Sequence, residues 1–214
     1  HGVLKAYTEA RRRQARAATA QTAADFVTLL LKKRLFSSPK AFHETLQEHR
    51  RTLMRNRAAA PVTERQLRVE FDRLEEEIDN EDALSEATGD ALDVAARASE
   101  PLTRDQEALL AEMLDWAGRE QHRPDAKTTV LLDWLVRTCR PNGTWNDERV
   151  IVFTEYRDTQ IWLQSLFTQY GLGGDRVALL FGGMDTVQRE RVKAEFQAPP
   201  SRTPVRILLA TDAA

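Results

Sequence analysis

Apolar residues in the first two-thirds of the chain return every third or fourth position, the period of a helix with one buried face. In the last third they gather into short unbroken runs, the pattern of buried strands. Residues 3–35 hold no proline or glycine and are rich in Ala, Arg, Leu and Gln, so they predict one long helix with Phe26, Leu29, Leu30 and Lys33 on a stripe. Ser37-Ser38-Pro39 ends it, with Ser38 as N-cap and Pro39 as first residue of a helix over Phe42, Leu46, His49 and Leu53. Ala58-Ala59-Ala60-Pro61 reads as a joint. Thr63 and Gln66 form a capping box before a helix over Leu67, Phe71, Leu74 and Ile78. Residues 79–99 are acidic, weakly apolar and poorly periodic, and read as a mobile linker. A second box, Thr103 with Gln106, opens a helix over Leu109, Leu110, Met113 and Trp116. A further helix spans Thr129 to Arg137 and ends near Pro141-Asn142-Gly143.

From residue 149 the pattern alternates. Arg149 to Phe153 predicts a strand, Asp158 to Tyr170 a helix, and Arg176 to Phe181 a second strand. Gly182-Gly183 turns into a helix capped by Asp185 with Gln188 and closed by Pro199-Pro200, and Val205 to Leu209 is a third strand. Strand, helix, strand, helix, strand at this spacing means crossover connections and a parallel sheet with helices on both faces. The fold class is therefore α/β, a partial parallel sheet after a largely helical region of residues 1–123.

Composition narrows the function. Apolar residues make up 42% and charged residues 30% of 214 positions, within the range of globular proteins. No run of about 18 apolar residues exists to span a membrane, and the N-terminal residues lack a signal-peptide core. The one cysteine, Cys139, excludes an internal disulfide, and a reducing, cytoplasmic compartment is the default expectation. The net charge of −2 conceals blocks. Residues 1–57 carry 13 Lys and Arg against 4 Asp and Glu, residues 58–123 carry 7 against 18, and residues 124–214 carry 11 against 11. A basic block can attract phosphate-rich partners; equally, the two oppositely charged blocks can lie against each other.

Ligands of open parallel sheets bind beyond the carboxyl ends of the strands. Three segments belong there: Thr154-Glu155-Tyr156-Arg157, Gly182-Gly183-Met184, and Thr211-Asp212-Ala213-Ala214. The glycine pair lets backbone N–H groups approach an anion at a helix N-terminus, Thr211 offers a hydroxyl, and Tyr156 and Arg157 offer stacking and charge.

In order and spacing these segments resemble superfamily-2 helicases of the Swi/Snf-type branch. Val150 to Thr159 resembles motif IV. Phe181-Gly182-Gly183-Met184, with Arg189-Glu190-Arg191 and Phe196, resembles the turn and helix that follow it. Ile207 to Ala214 resembles the opening of motif V, and Asp125-Ala126-Lys127 resembles the lead into the domain. The resemblance covers residues 124–214 and implies the N-terminal part of a second RecA-like lobe, truncated within motif V. It implies that backbone amides around Gly183 and the Thr211 hydroxyl touch a nucleic-acid phosphate, with Thr154, Tyr156, Arg157 and Gly182 as further nucleic-acid-binding residues, Phe153 and Asp212 as structural motif residues, and Phe153 packing to position its loop. Phe181 stands where family members often carry His. Leu29 to Pro39 resembles a helix–turn segment inserted between the lobes of bacterial members, and its Lys32-Lys33-Arg34 cluster could lie along a duplex.

The implied whole is an ATP- and Mg2+-dependent translocase or helicase on nucleic acid, duplex DNA above all, partnered by a first RecA-like lobe. This chain has no G-x-x-x-x-G-K-[ST] loop and no strand-borne Asp-Glu pair, so neither catalytic residues, bound ATP nor Mg2+ are expected within it. Metal binding is not expected: His43-Glu44 and His49 miss the H-E-x-x-H spacing, and Glu75 to Asp82 lacks the glycine of a calcium loop. The alternatives are a non-catalytic docking module of a larger nucleic-acid-processing protein and an unrelated α/β nucleotide-binding enzyme.

Overall fold

The computed structural model describes residues 1–55, 62–76 and 81–211, with backbone alone at 75, 76, 81 and 82. It is a mixed α/β structure whose described residues fall into two compact units, one up to Gln121 and one from His122 onward.

The first unit is helical: α1 Gly2–Gln14, α2 Ala18–Ser37, α3 Pro39–Arg55, α4 Glu64–Glu76, α5 Glu81–Arg97 and α6 Arg104–Glu120. Its core gathers Tyr7, Leu31, Phe42, Leu46, Leu67, Leu92 and Leu110. The ring of Phe26 in α2 stacks on Phe71 of α4 at 3.7 Å. The long helix expected over residues 3–35 is two helices, because Ala15 and Ala17 are extended. No glycine or proline forces the break; tertiary hydrogen bonds stabilise it. Gln14 donates to Pro101 O, Gln21 to Ala15 O, and the Arg16 amide to Glu100 Oε1. The predicted stop at Ser38 holds, with its hydroxyl accepting from the Ala41 amide. Both capping boxes form: Thr63 with Gln66, and Thr103 with Gln106.

The acidic stretch read as a mobile linker is corrected by α5, which packs Ala87, Ala91, Leu92, Ala95 and Ala96 into the core. Its buried stripe is mostly alanine, spaced by four, so large apolar side chains do not mark it. The expected joint at Ala58-Ala59-Ala60-Pro61, and Ile78 of the α4 pattern, lie outside the described residues. The basic and acidic blocks share this one unit: Arg11 donates to Glu100 O and Gln106 Oε1, and Arg34 to Thr88 Oγ1.

The second unit holds α7 Ala126–Cys139, β1 Val150–Thr154, α8 Arg157–Gln169, β2 Val177–Leu180, α9 Thr186–Gln197 and β3 Ile207–Thr211. Asp125 caps α7 by accepting from the Thr128 amide at 2.7 Å. The strands form a parallel sheet in the order β1-β3-β2. The chain crosses from β1 past the centre to β2, then returns to β3. Right-handed crossovers made in opposite directions put their helices on opposite faces. Accordingly, Val150, Ile207 and Leu209 pack with α7 and α8 through Leu135, Trp162, Leu166 and Phe167. Leu180, Leu208 and Ala210 pack with α9 through Val192 and Phe196. Only β2 and β3 receive α9, which leaves Phe153 of β1 65% exposed. Phe153, expected to pack and position its loop, lies on this uncovered face.

Two arginines hold the opposite edge of the sheet. Arg149 donates to the carbonyls of Phe196 and Ala198, capping the C-terminus of α9. Buried Arg206 donates to the carbonyls of Asn146, Pro200, Thr203 and Val205 and reaches Asp147. Cys139 ends α7 fully buried, and burial, reinforced by Glu148, pushes its thiol up despite Arg206. It is therefore expected to resist thiol reagents at neutral pH until the chain unfolds, which labelling with and without denaturant checks.

In the helical unit His49 Nε2 lies 2.8 Å from the Tyr7 hydroxyl. Burial, aided by the charge of Arg11, lowers the His49 pKa from 6.5 to about 3. The unfolded ring takes a proton near 6.5 while the folded ring refuses it until about 3, so the folded chain binds fewer protons in that window. Stability therefore falls as pH drops through it, at up to about 1.4 kcal/mol per pH unit. Urea unfolding of His49→Gln is expected to show a shallower decline than the parent between about pH 6.5 and 4.5. Equal slopes would remove His49 as the cause.

Candidate nucleic-acid interface

Parallel pairing aligns the strand ends. Thr154 of β1 pairs with Thr211 of β3, and Leu180 of β2 with Ala210. Neighbouring strands lie about 4.8 Å apart, so the three loop starts fall within about 10 Å along one rim. The N-termini of α8 and α9 frame that rim from opposite faces of the sheet. A crevice between oppositely placed helices at the carboxyl ends of strands is where open α/β sheets take their ligands.

The turn after the edge strand β2 carries the glycine pair. Gly182 is buried, and its amide approaches Thr211 Oγ1 at 3.4 Å. Gly183 follows, exposed and at φ 79°, a left-handed backbone that glycine adopts without strain. Asp185 then caps α9 by accepting from the amides of Val187 and Gln188, each at 3.0 Å. Thr211 is 2% exposed, so its oxygen shapes the glycine turn from beneath.

Arginine surrounds this turn. The guanidinium of Arg157, the first residue of α8, lies 3.4 Å from the centre of the Phe181 ring. This is a cation–π stack, worth on the order of 1 kcal/mol. Arg189, one turn into α9, reaches the Phe181 carbonyl at 3.4 Å. Beneath both, Gln160 is fully buried. Its amide donates to Leu180 O at 3.0 Å and Leu209 O at 2.6 Å, and its carbonyl accepts from Arg157 Nη1. Two cations and the exposed Gly183 backbone offer positive charge at this turn, where the Asp185 carboxylate is engaged by the amides of Val187 and Gln188.

The structure distributes the expected site residues unevenly. Arg157, Gly182, Gly183 and Thr211 come together. Thr154 and Tyr156 are near them in sequence but turn inward: Thr154 is 8% and Tyr156 6% exposed. The Thr154 hydroxyl donates to Tyr156 O, and the Tyr156 hydroxyl donates to Glu155 Oε1 at 2.7 Å. Both side chains serve the tight turn that starts α8, and the buried tyrosine ring is not offered for stacking. Lys32 and Lys33 are exposed on α2, whereas Arg34 is 6% exposed and bonded to Thr88, which corrects its assignment to a nucleic-acid surface. Asp212 lies outside the described residues. Gln160 and Arg189 were not legible as site residues; the available signal was a glutamine on the otherwise apolar inner stripe of α8, at i+3 from Arg157.

Among the described residues, no group of three or more His, Cys, Asp or Glu side chains is gathered for a metal, and no helix is long and apolar enough to cross a membrane. The chain has no G-x-x-x-x-G-K-[ST] loop. Comparison with family models, curated proteins and solved structures gave no match.

Replacing Thr211 by Val keeps the shape and removes the acceptor of the Gly182 amide. A buried donor left without an acceptor costs about 1–3 kcal/mol. Thr211→Val is expected to lower unfolding stability by that order and to speed hydrogen exchange at Gly182. Unchanged exchange there would show that this bond does not hold the turn.

Proposed function

We propose that residues 124–214 form part of the second RecA-like lobe of a superfamily-2 helicase-type ATPase of the Swi/Snf branch, with residues 1–123 as a helical insertion. In this reading the whole motor uses ATP and Mg2+ to move along duplex DNA, in cooperation with a first RecA-like lobe. The observation that carries the proposal is the shared rim, where parallel strands bring Arg157, Gly183 and the Thr211-braced turn together. The ordered motif resemblance supplies the family.

The rim's chemistry suits a phosphodiester. An exposed glycine amide at a helix N-terminus and two arginines bind phosphate oxygens without reading bases. Such contacts tolerate any sequence under the motor, as a translocase requires. Thr211 acts beneath the ligand, fixing the glycine turn. Nucleotide and magnesium belong to residues other than these, and this chain by itself is expected to be without ATPase activity.

Anisotropy titration of the chain with a fluorescent DNA duplex tests the reading. Weak binding is expected, falling steadily as salt rises, because phosphate contacts release counterions. Arg157→Ala is expected to reduce the slope of log K against log salt by about one unit, the loss of roughly one phosphate contact. Affinity unchanged from low to high salt would refute the phosphate rim.

A further inference from the structure

We infer that Gln160 is the positioning residue of this rim: it holds the Arg157 cation over Phe181 and ties that cation to the last residue of β2 and the middle of β3. The inference rests on the reading of the rim as a phosphate site and adds the device that sets its geometry. A primary amide has two donors and one strong acceptor, and here all three are used. The two donors take the carbonyls of Leu180 and Leu209, on neighbouring strands, and the acceptor takes Arg157.

The consequence is mechanical. An arginine on a surface helix gives up rotamer freedom when it is fixed. Stacking on Phe181 and the bond to Gln160 fix it before any ligand arrives, so a phosphate meets a preorganised cation. Leu209 stands two residues before Thr211, and Leu180 directly before Phe181. Displacement of the arginine by a ligand is therefore felt at both strands through one amide.

Two substitutions separate the parts. Gln160→Met fills the space with neither donors nor acceptor, whereas Gln160→Glu keeps an acceptor for Arg157 and loses the donors. The first readout needs no ligand. Stacked on Phe181, the side-chain protons of Arg157 carry a ring-current upfield shift in the NMR spectrum. That shift is expected to collapse in Gln160→Met and persist in Gln160→Glu. Its persistence in Gln160→Met, with the fold intact by circular dichroism, would overturn the inference.

The second readout is a double-mutant cycle on affinity for a short DNA duplex. Gln160→Met and Arg157→Ala are each expected to weaken binding roughly three- to tenfold. The double variant is expected to bind no more weakly than Arg157→Ala alone. Independent, multiplying losses would show that Gln160 acts through the fold at large and would contradict the positioning role. If Arg157→Ala leaves affinity unchanged while the ring-current result holds, the phosphate reading fails and the positioning of Arg157 by Gln160 stands. A Gln160→Met chain that does not fold is replaced by Gln160→Asn, one methylene too short to span Arg157 and both carbonyls, and persistence of the upfield shift there would equally overturn the inference.

Discussion

Parallel strands cannot be joined by a tight hairpin; each needs a crossover that returns the chain to its starting edge. Everything proposed for this protein follows from that constraint. It requires α8 after β1 and α9 after β2, and it sends every strand out toward the same rim. The reversal of direction between the two crossovers then sets α8 and α9 on opposite faces, leaving their N-termini to flank one crevice. Chemistry from three separate stretches of sequence meets there without a dedicated loop reaching across.

The rim is held from below by polar groups that are themselves buried. Gln160 ties two strand carbonyls, and Thr211 accepts from the Gly182 amide. A buried donor or acceptor without a partner costs more than an average hydrogen bond contributes, so these groups specify geometry more than they add stability. What faces solvent is Gly183, with the half-buried arginines beside Phe181 and the exposed Glu155 and Asp185 along the same rim. Thr154 and Tyr156 belong to the supporting layer, and an apolar face of β1 around Ile151 and Phe153 stays exposed because α9 covers only its neighbours.

The alternation of strand and helix was legible because strands apolar on both faces and a glycine-ended helix leave few other topologies. The capping boxes at Thr63 and Thr103 were legible because capping is local chemistry. Two features of the helical unit were not. The break at Ala15–Ala17 is stabilised by partners more than eighty positions away, at Glu100 and Pro101, and no local signal anticipates it. Helix α5 buries alanines, which large-residue periodicity undercounts. At the rim, the residue types were readable but their directions were not. Whether Tyr156 points out or Gln160 points in depends on how α8 rests on the sheet, a long-range packing outcome.

Amide chemical-shift mapping during titration with a DNA duplex tests the shared rim most directly. The account predicts perturbations confined to Arg157, the Phe181–Asp185 turn and the end of β3, moving together as one patch. Shifts centred on α2 around Lys32 and Lys33, with the turn after β2 unmoved, would contradict it.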